Sequence, residues 1–332
     1  MILIIFLFLH SEFILDMKKL LLILLCLPMI GFGQKTYVPD DNFEQRLIDL
    51  GLDDVLDDSV NTSYIQSVTS LNVSWGNIWD LTGIEGFTAL THLICGTNYF
   101  SILDLSHNTA LKYLNCEGTS NGYITQIDLS QNIALEYLHV RDAWQVTSID
   151  VTNCPLLSEL RLDNTGLYSL DVSNNVLLTY LDCIDNQITN LDVGQNINLS
   201  DLRYRDNQIT SLDVSNNVLL NRLSCNENQL TSLDLRNGNN TNFDWFNGTN
   251  NPNLLCISVD DPNWATANWT VGNSISAWTS FSSDCSATFG CTDSLATNYD
   301  SLATCDNGSC NYDILGCTDS TAINYNPSAT LD

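Results

Sequence analysis

Three sets of residues in this 332-residue chain have the types and spacing for chemistry: a row of aspartates, a small set of arginines and twelve cysteines. Asp104, Asp128, Asp150, Asp171, Asp192, Asp213 and Asp234 are separated by 24, 22, 21, 21, 21 and 21 residues. In stacked units such carboxylates would lie about 5 Å apart, close enough to repel unless a cation such as calcium bridged them. No second set of oxygen ligands recurs beside the row, and most of the aspartates are followed by an apolar residue and then Ser or Thr. That pattern favours turn chemistry, with the carboxylate accepting from nearby backbone N–H groups. Catalytic groups are scarce. Beyond the leader only His92, His107 and His139 remain, and no H-E-x-x-H, G-x-S-x-G or phosphate-loop pattern occurs. The chain reads as a binding protein and not as an enzyme.

The aspartates close segments such as LTYLDCIDNQITNLD (178–192) and LNRLSCNENQLTSLD (220–234), and about eight such units run from Val68 to Asn240. Their register, L-x-x-L-x-C-x-x-N-x-I/L, resembles the leucine-rich repeat consensus with Cys in the third apolar slot. Leu178, Leu181, Cys183, Ile188 and Leu191 are expected to point inward, because stacked units bury what one unit cannot. One short parallel strand per unit is expected at segments such as Tyr180–Cys183. Asn186, Asn207 and Asn228 fall where the chain turns inward, so their amides can satisfy buried backbone groups. Asn108, Asn132, Asn175, Asn196 and Asn217 form a second ladder on the return side, with Cys154 in the same slot. The fold expected is an α/β solenoid with short parallel strands on its concave face. VPDDNFEQRLIDLGLDD (38–54) reads as a capping helix with Phe43, Leu47, Ile48 and Leu50 on its apolar face and Gly51 as its stop.

The same register predicts which side chains face outward from the concave strands. Before the central Leu come His92, Tyr113, Tyr137, Glu159, Tyr180, Asp201 and Arg222. After it come Ile94, Asn115, His139, Arg161, Asp182, Arg203 and Ser224, and past the Cys slot Gly96, Glu117, Arg141, Asp163, Ile184, Arg205 and Asn226. The chain carries 39 Asp+Glu against 11 Lys+Arg, a formal charge of −28. Nucleic acid is therefore not expected as a partner. Arg141, Arg161, Arg203, Arg205 and Arg222 nevertheless gather on this one face. With His92, Tyr113, Tyr137, His139 and Tyr180 they form the expected binding strip, since arginine and tyrosine suit recognition surfaces. The competing reading is that these arginines only neutralise Glu136, Glu159, Asp163, Asp182 and Asp201 across the strands.

The cysteines divide in two. Cys95, Cys116, Cys183 and Cys225 occupy the inward slot and are expected to be reduced, small hydrophobic residues. Cys256 and Cys285 bracket a segment that departs from the repeat, and their disulfide would clamp a C-terminal cap. From Gly290, GCTDSLATNYDSLATCDNGSC recurs as GCTDSTAINYNPSATLD from Gly316, a period of 26. Cys291 is expected to pair with Cys310, while the partners of Cys305 and Cys317 stay open, since the second copy looks truncated at Asp332. Asp293, Asp300 and Asp306 offer oxygen ligands for calcium, beside a turn glycine at Gly308. A disulfide-stapled linker with Asx turns is the preferred reading, and no cofactor is expected.

Residues 1–33 have the layout of a secretory signal peptide: Met17-Lys18-Lys19, the apolar run Leu20–Ile30, then Gly31-Phe32-Gly33 before Gln34. Met17 reads as the true start. The division expected is a leader (1–33), an N-terminal cap (34–67), repeats (68–241), a C-terminal cap (242–285) and tandem cysteine modules (286–332). The array from Leu178, the segment VPDDNFEQRLIDLGLDDVLDD, the exit NPNLLCISVDDPNWATANWT and the GCTD…NYD…GSC modules resemble secreted leucine-rich repeat proteins of Bacteroidota, of flavobacterial type. The solenoid also resembles internalin-type bacterial surface proteins. The resemblance implies a type IX secretion substrate, secreted or held on the outer cell surface, that binds an extracellular protein or glycan. It would act as a monomer with no membrane span in the mature chain. The alternatives are a structural surface spacer, or the binding module of a larger enzyme.

Overall fold

The computed structural model describes residues 33–118, 124–285, 289–301, 303, 305–306 and 308–329, so the leader lies outside the described residues. Nine strands of three residues each form one parallel sheet that runs from Ser70–Asn72 to Trp245–Asn247. The central residue of each strand forms a single row: Leu71, Leu93, Leu114, Leu138, Leu160, Leu181, Leu202, Leu223 and Phe246, all buried. Alternation along a strand sends these inward and their two neighbours outward. On the return side Ser211–Asp213, Ser232–Asp234, Cys256–Ser258 and Ser280–Ser282 form a second parallel sheet, and Ile102–Asp104 pairs with Gln126–Asp128. One continuous core lies between, from Val38 to Ile275.

The aspartate row ends the return-side segments as turn residues. Oδ1 of Asp104, Asp128, Asp150, Asp171, Asp192, Asp213 and Asp234 accepts from the backbone N–H two residues on, at 2.8–3.0 Å. Both asparagine ladders are present. Asn207 donates to the carbonyls of Cys183 and Tyr204 and accepts from the N–H of Ile188, and Asn186, Asn228, Asn98 and Asn251 do the same at their own rungs. Thr165 breaks the row by bonding the Asn186 amide oxygen, at 2.6 Å. In the second ladder Asn108, Asn132, Asn175, Asn196 and Asn217 each donate twice to carbonyls of the preceding unit, while their amide oxygens stay buried without a partner.

At the N-terminus the strands Lys35–Tyr37 and Ser59–Asn61 pair antiparallel around the helix Asp41–Asp49. Asp40 caps that helix through Oδ1 and holds the first solenoid turn through Oδ2, which accepts from the N–H groups of Trp79 and Asp80 at 2.7 and 3.0 Å. Phe43 and Leu47 are buried as expected, but Leu50 is exposed. The helix stops at Asp49, and after Gly51 at φ +72° the chain turns back so that Leu52 packs against the core in place of Leu50. Glu44 is buried instead, its carboxylate accepting from the N–H groups of Asp57, Asp58 and Ser59. The other end is closed by Cys256–Cys285, by the helix Pro262–Asn268 with Asp261 as its N-cap, and by the packed rings of Phe243, Phe246, Trp264, Trp269 and Phe281.

The two GCTD copies fold alike. Asp300 N–H bonds the Cys291 carbonyl as Asn326 N–H bonds that of Cys317, and Asp293 and Asp319 each accept from the N–H two residues on. Cys291 and Cys310 are disulfide-bonded.

Candidate functional site

The strand register sorts the outward side chains into rows. Ser70, His92, Tyr113, Tyr137, Glu159, Tyr180, Asp201, Arg222 and Trp245 are successive partners in the first row. Asn72, Ile94, Asn115, His139, Arg161, Asp182, Arg203, Ser224 and Asn247 form the second. Trp245, half-exposed at the end of the first row, escapes sequence reasoning because its unit, TNFDWFNGTN, has lost the flanking consensus. Its only signal is W-F-N in place of x-L-x.

Four aromatic side chains cluster in one half of the face, while Tyr180 and Trp245 stand in the other. His92 stacks on Tyr113 with ring centroids 5.9 Å apart, Tyr113 meets Tyr137 at 6.1 Å, and His139 meets the Tyr113 ring edge-on at 5.4 Å. His139 is itself buried, with Nε2 2.9 Å from Glu159. Burial and the neighbouring Arg161 lower its pKa against the opposing pull of Glu159 and Glu117.

The arginines begin on the Tyr137–His139 rung with Arg141 and run toward the other end, and each meets a carboxylate. Arg141 Nε reaches both oxygens of Asp163, at 2.5 and 2.7 Å, and Arg161 reaches Glu159 at 2.7 Å. Arg203 grips Asp201 with two bonds of 3.0 and 2.8 Å, with Arg222 3.5 Å from the same carboxylate. Arg205 pairs with Asp185, at 3.1 Å, a partner the register does not announce because it sits one residue beyond the outward rows. Tyr180 lies between two guanidinium planes, Arg161 at 4.9 Å and Arg203 at 5.1 Å from its centroid, and its hydroxyl donates to Asp182 at 3.1 Å. Burial raises the pKa of both Tyr180 and Asp182. The result is a face of nearly matched charge, with its guanidiniums held in place, on a strongly acidic molecule. Pre-positioned planar donors and flat rings suit recognition at low ordering cost.

Beneath the face Cys95, Cys116, Cys183 and Cys225 are buried and unpaired by disulfides, as is Cys154 on the return side. Burial pushes Cys154 up to about 11 and Cys225 up to about 12. Such thiols are poor nucleophiles.

Of the three residues offered for calcium, Asp293 has Oδ1 on the N–H of Leu295 and Oδ2 on the Tyr312 hydroxyl, while the side chain of Asp306 lies outside the described residues. The carboxylate trio found close together among the described residues is Asp41, Glu44 and Asp58, at the opposite end. Glu44 there already accepts three backbone N–H groups.

A further row runs along the edge where each strand turns out. Trp75, Thr97, Gly118, Asp142, Asn164, Asp185, Asp206, Glu227 and Asn250 all have φ between 53° and 71°. Nothing in the repeat consensus marks Trp75 as a member.

No family model matches the chain. A stretch of 73 residues, 22% of the chain, is 39% identical to internalin J of Listeria monocytogenes serotype 4b (strain F2365), and it spans 8% of that protein's length. Among solved structures, the functional domain of InlJ from Listeria monocytogenes, which includes a cysteine ladder, is 27% identical over 68% of each chain, with a TM-score of 0.41. Internalin C2 of Listeria monocytogenes is 18% identical over 68% of this chain and 97% of its own, with a TM-score of 0.51, a likeness in fold.

Proposed function

From an internalin-like leucine-rich repeat solenoid, we propose an exported binding or adhesion protein that recognises an extracellular protein or glycan on its concave face. The observation that carries this reading is the gathering of Arg141, Arg161, Arg203, Arg205 and Arg222 with stacked aromatic rings on one face of a chain of charge −28. In this reading the protein acts by binding and not by catalysis, as a monomer, secreted or held at the outer cell surface. Among the described residues no helix is long and apolar enough to cross a membrane. The leader and GCTD modules favour export as a type IX substrate of a member of the Bacteroidota.

The test is capture from protein and glycan arrays by the mature chain. Arg161→Glu combined with Arg203→Glu is expected to abolish capture while leaving the circular dichroism spectrum unchanged. Capture equal to wild type would sink the concave-face reading. A surface spacer without a ligand is the second reading, and the commitment of every one of the five arginines to a carboxylate of its own surface favours it. Surface display with no array signal for the wild type would select it.

A further inference from the structure

The third outward row of the concave face has a gap. Later units fill it with Arg141, Asp163, Ile184, Arg205 and Asn226, but the second rung has Gly96. A Cβ there would come within 2.0 Å of the Glu117 carbonyl oxygen, so no side chain can occupy the place. Gly118, at φ +71°, leaves the edge of the next rung bare as well. The two glycines floor a groove of about 310 Å³ that opens between Trp75 and Arg141.

Trp75 is the anomaly that gives the groove a meaning. It occupies the left-handed row at φ +60°, where the other units have Thr, Gly, Asp, Asn or Glu. A bulky side chain is strained in that conformation, and neighbouring units show that a small or polar residue serves the turn. Packing does not compensate, because the residue is 78% exposed. Neither the turn nor the core accounts for an indole here. A ligand would.

The groups around the indole define that ligand. Glu117 and Asp142 line the groove with Asn115, whose Oδ1 accepts from Glu117 N–H at 2.9 Å and whose Nδ2 reaches the Tyr113 hydroxyl at 3.4 Å. Arg141 is held by Asp163 and stands 3.6 Å from Glu117. A flat apolar ring beside fixed carboxylate, amide and guanidinium groups matches a sugar, whose C–H face stacks while adjacent hydroxyls both donate and accept. The two carboxylates disfavour an anion, and Ile94 is the one apolar side chain among the described residues that lines the groove besides Trp75, too little for an apolar peptide anchor.

We propose that this groove is a subsite for a neutral saccharide, stacked on Trp75 and hydrogen-bonded by Glu117, Asn115 and Arg141. The proposal rests on the binding reading of the concave face and names a ligand class for its N-terminal end. Its test is tryptophan fluorescence of the mature chain titrated with neutral tetrasaccharides built of glucose, mannose, galactose and N-acetylglucosamine. At least one is expected to give a saturable change. Trp75→Asn is expected to weaken its binding at least tenfold, by calorimetry, with a melting temperature equal to or above wild type, because Asn tolerates the left-handed conformation. Array capture by Trp75→Asn, which keeps Arg161 and Arg203, is expected to persist, which separates failure of the subsite from failure of the wider face. Absence of saturable binding by all four saccharides, or a Trp75→Asn variant that binds as wild type, would overturn the proposal. So would a Trp75→Asn variant that melts lower, since the indole would then have a structural task.

Discussion

Asp182 and Asp171 show opposite ways in which a solenoid treats a carboxylate. Burial raises the Asp182 pKa above the usual carboxylate range despite hydrogen bonds from Ile184 N–H and the Tyr180 hydroxyl. Its folded form therefore takes up a proton more readily than the unfolded chain, and the charge costs stability at neutral pH. Asp182→Asn is expected to melt at or above the wild-type temperature at pH 7, with the difference fading as the pH falls through the raised folded value and gone below about pH 4, the ordinary aspartate value. Scanning calorimetry across that range checks it, and a variant that melts lower at pH 7 would contradict the assignment. Asp171 is held below the usual range by the Ser173 hydroxyl and N–H, Asp104 by Ser106, Asp150 by Thr152 and Asp234 by the Arg236 guanidinium. Their contribution is complete above about pH 4 and is lost as the pH falls through the lowered folded values. Acid unfolding of the wild type is expected to steepen there, and Asp171→Asn to flatten it. The row position of each such residue is legible in the sequence, Asp182 from the alternation along its strand and the aspartate row from its recurrence every 21 to 24 residues. The pairing of Arg205 with Asp185 is not, since rotamers choose among several acids within reach.

Asparagine ladders bind one rung to the next, and the two differ in completeness. Asn207 donates to two carbonyls and accepts from one N–H; the carbonyls also accept from Asn186 and Asn228, so Asn207→Ala would strand the Ile188 N–H and leave each carbonyl one donor short. Asn196→Ala strands neither carbonyl, since those of Val172 and Asn175 also accept from the N–H groups of Asn175 and Leu178, and it removes an amide oxygen that has no partner among the described residues. At about 1–3 kcal/mol for a stranded group, Asn207→Ala is expected to cost about 1–3 kcal/mol and Asn196→Ala less. Urea unfolding ranks them, and equal losses would contradict the difference between the two ladders. The inward thiols belong to the same rungs. Iodoacetamide is expected to spare Cys95, Cys116, Cys154, Cys183 and Cys225 in the native protein and to label them in urea. The repeat pattern makes these elements readable because every inward slot recurs. It is silent at the ends, where Leu52 packs on the core after the turn at Gly51 in place of Leu50, and Glu44 is buried beneath three backbone N–H groups.

Stability in the whole molecule passes from neighbour to neighbour, so the closed ends protect the middle. The Cys256–Cys285 bridge spans 29 residues of chain and is worth about 3 kcal/mol to the cap. Cys256→Ala with Cys285→Ala is expected to loosen that end first, detected as early hydrogen exchange in residues 256–282 while the Leu93–Leu202 rungs stay protected. Simultaneous exchange of the whole chain would instead mean a single cooperative unit. The nine-stranded sheet has a mechanical corollary. Its strands lie across the long axis, so the bonds between them point along it. Tension between the two ends therefore meets those bonds one rung at a time, like a zipper, and does not shear many together. Each 21-residue rung that opens returns up to about 70 Å of slack. A protein built this way would hold its load by lengthening, while the disulfide-stapled cap and module at its far end keep their size.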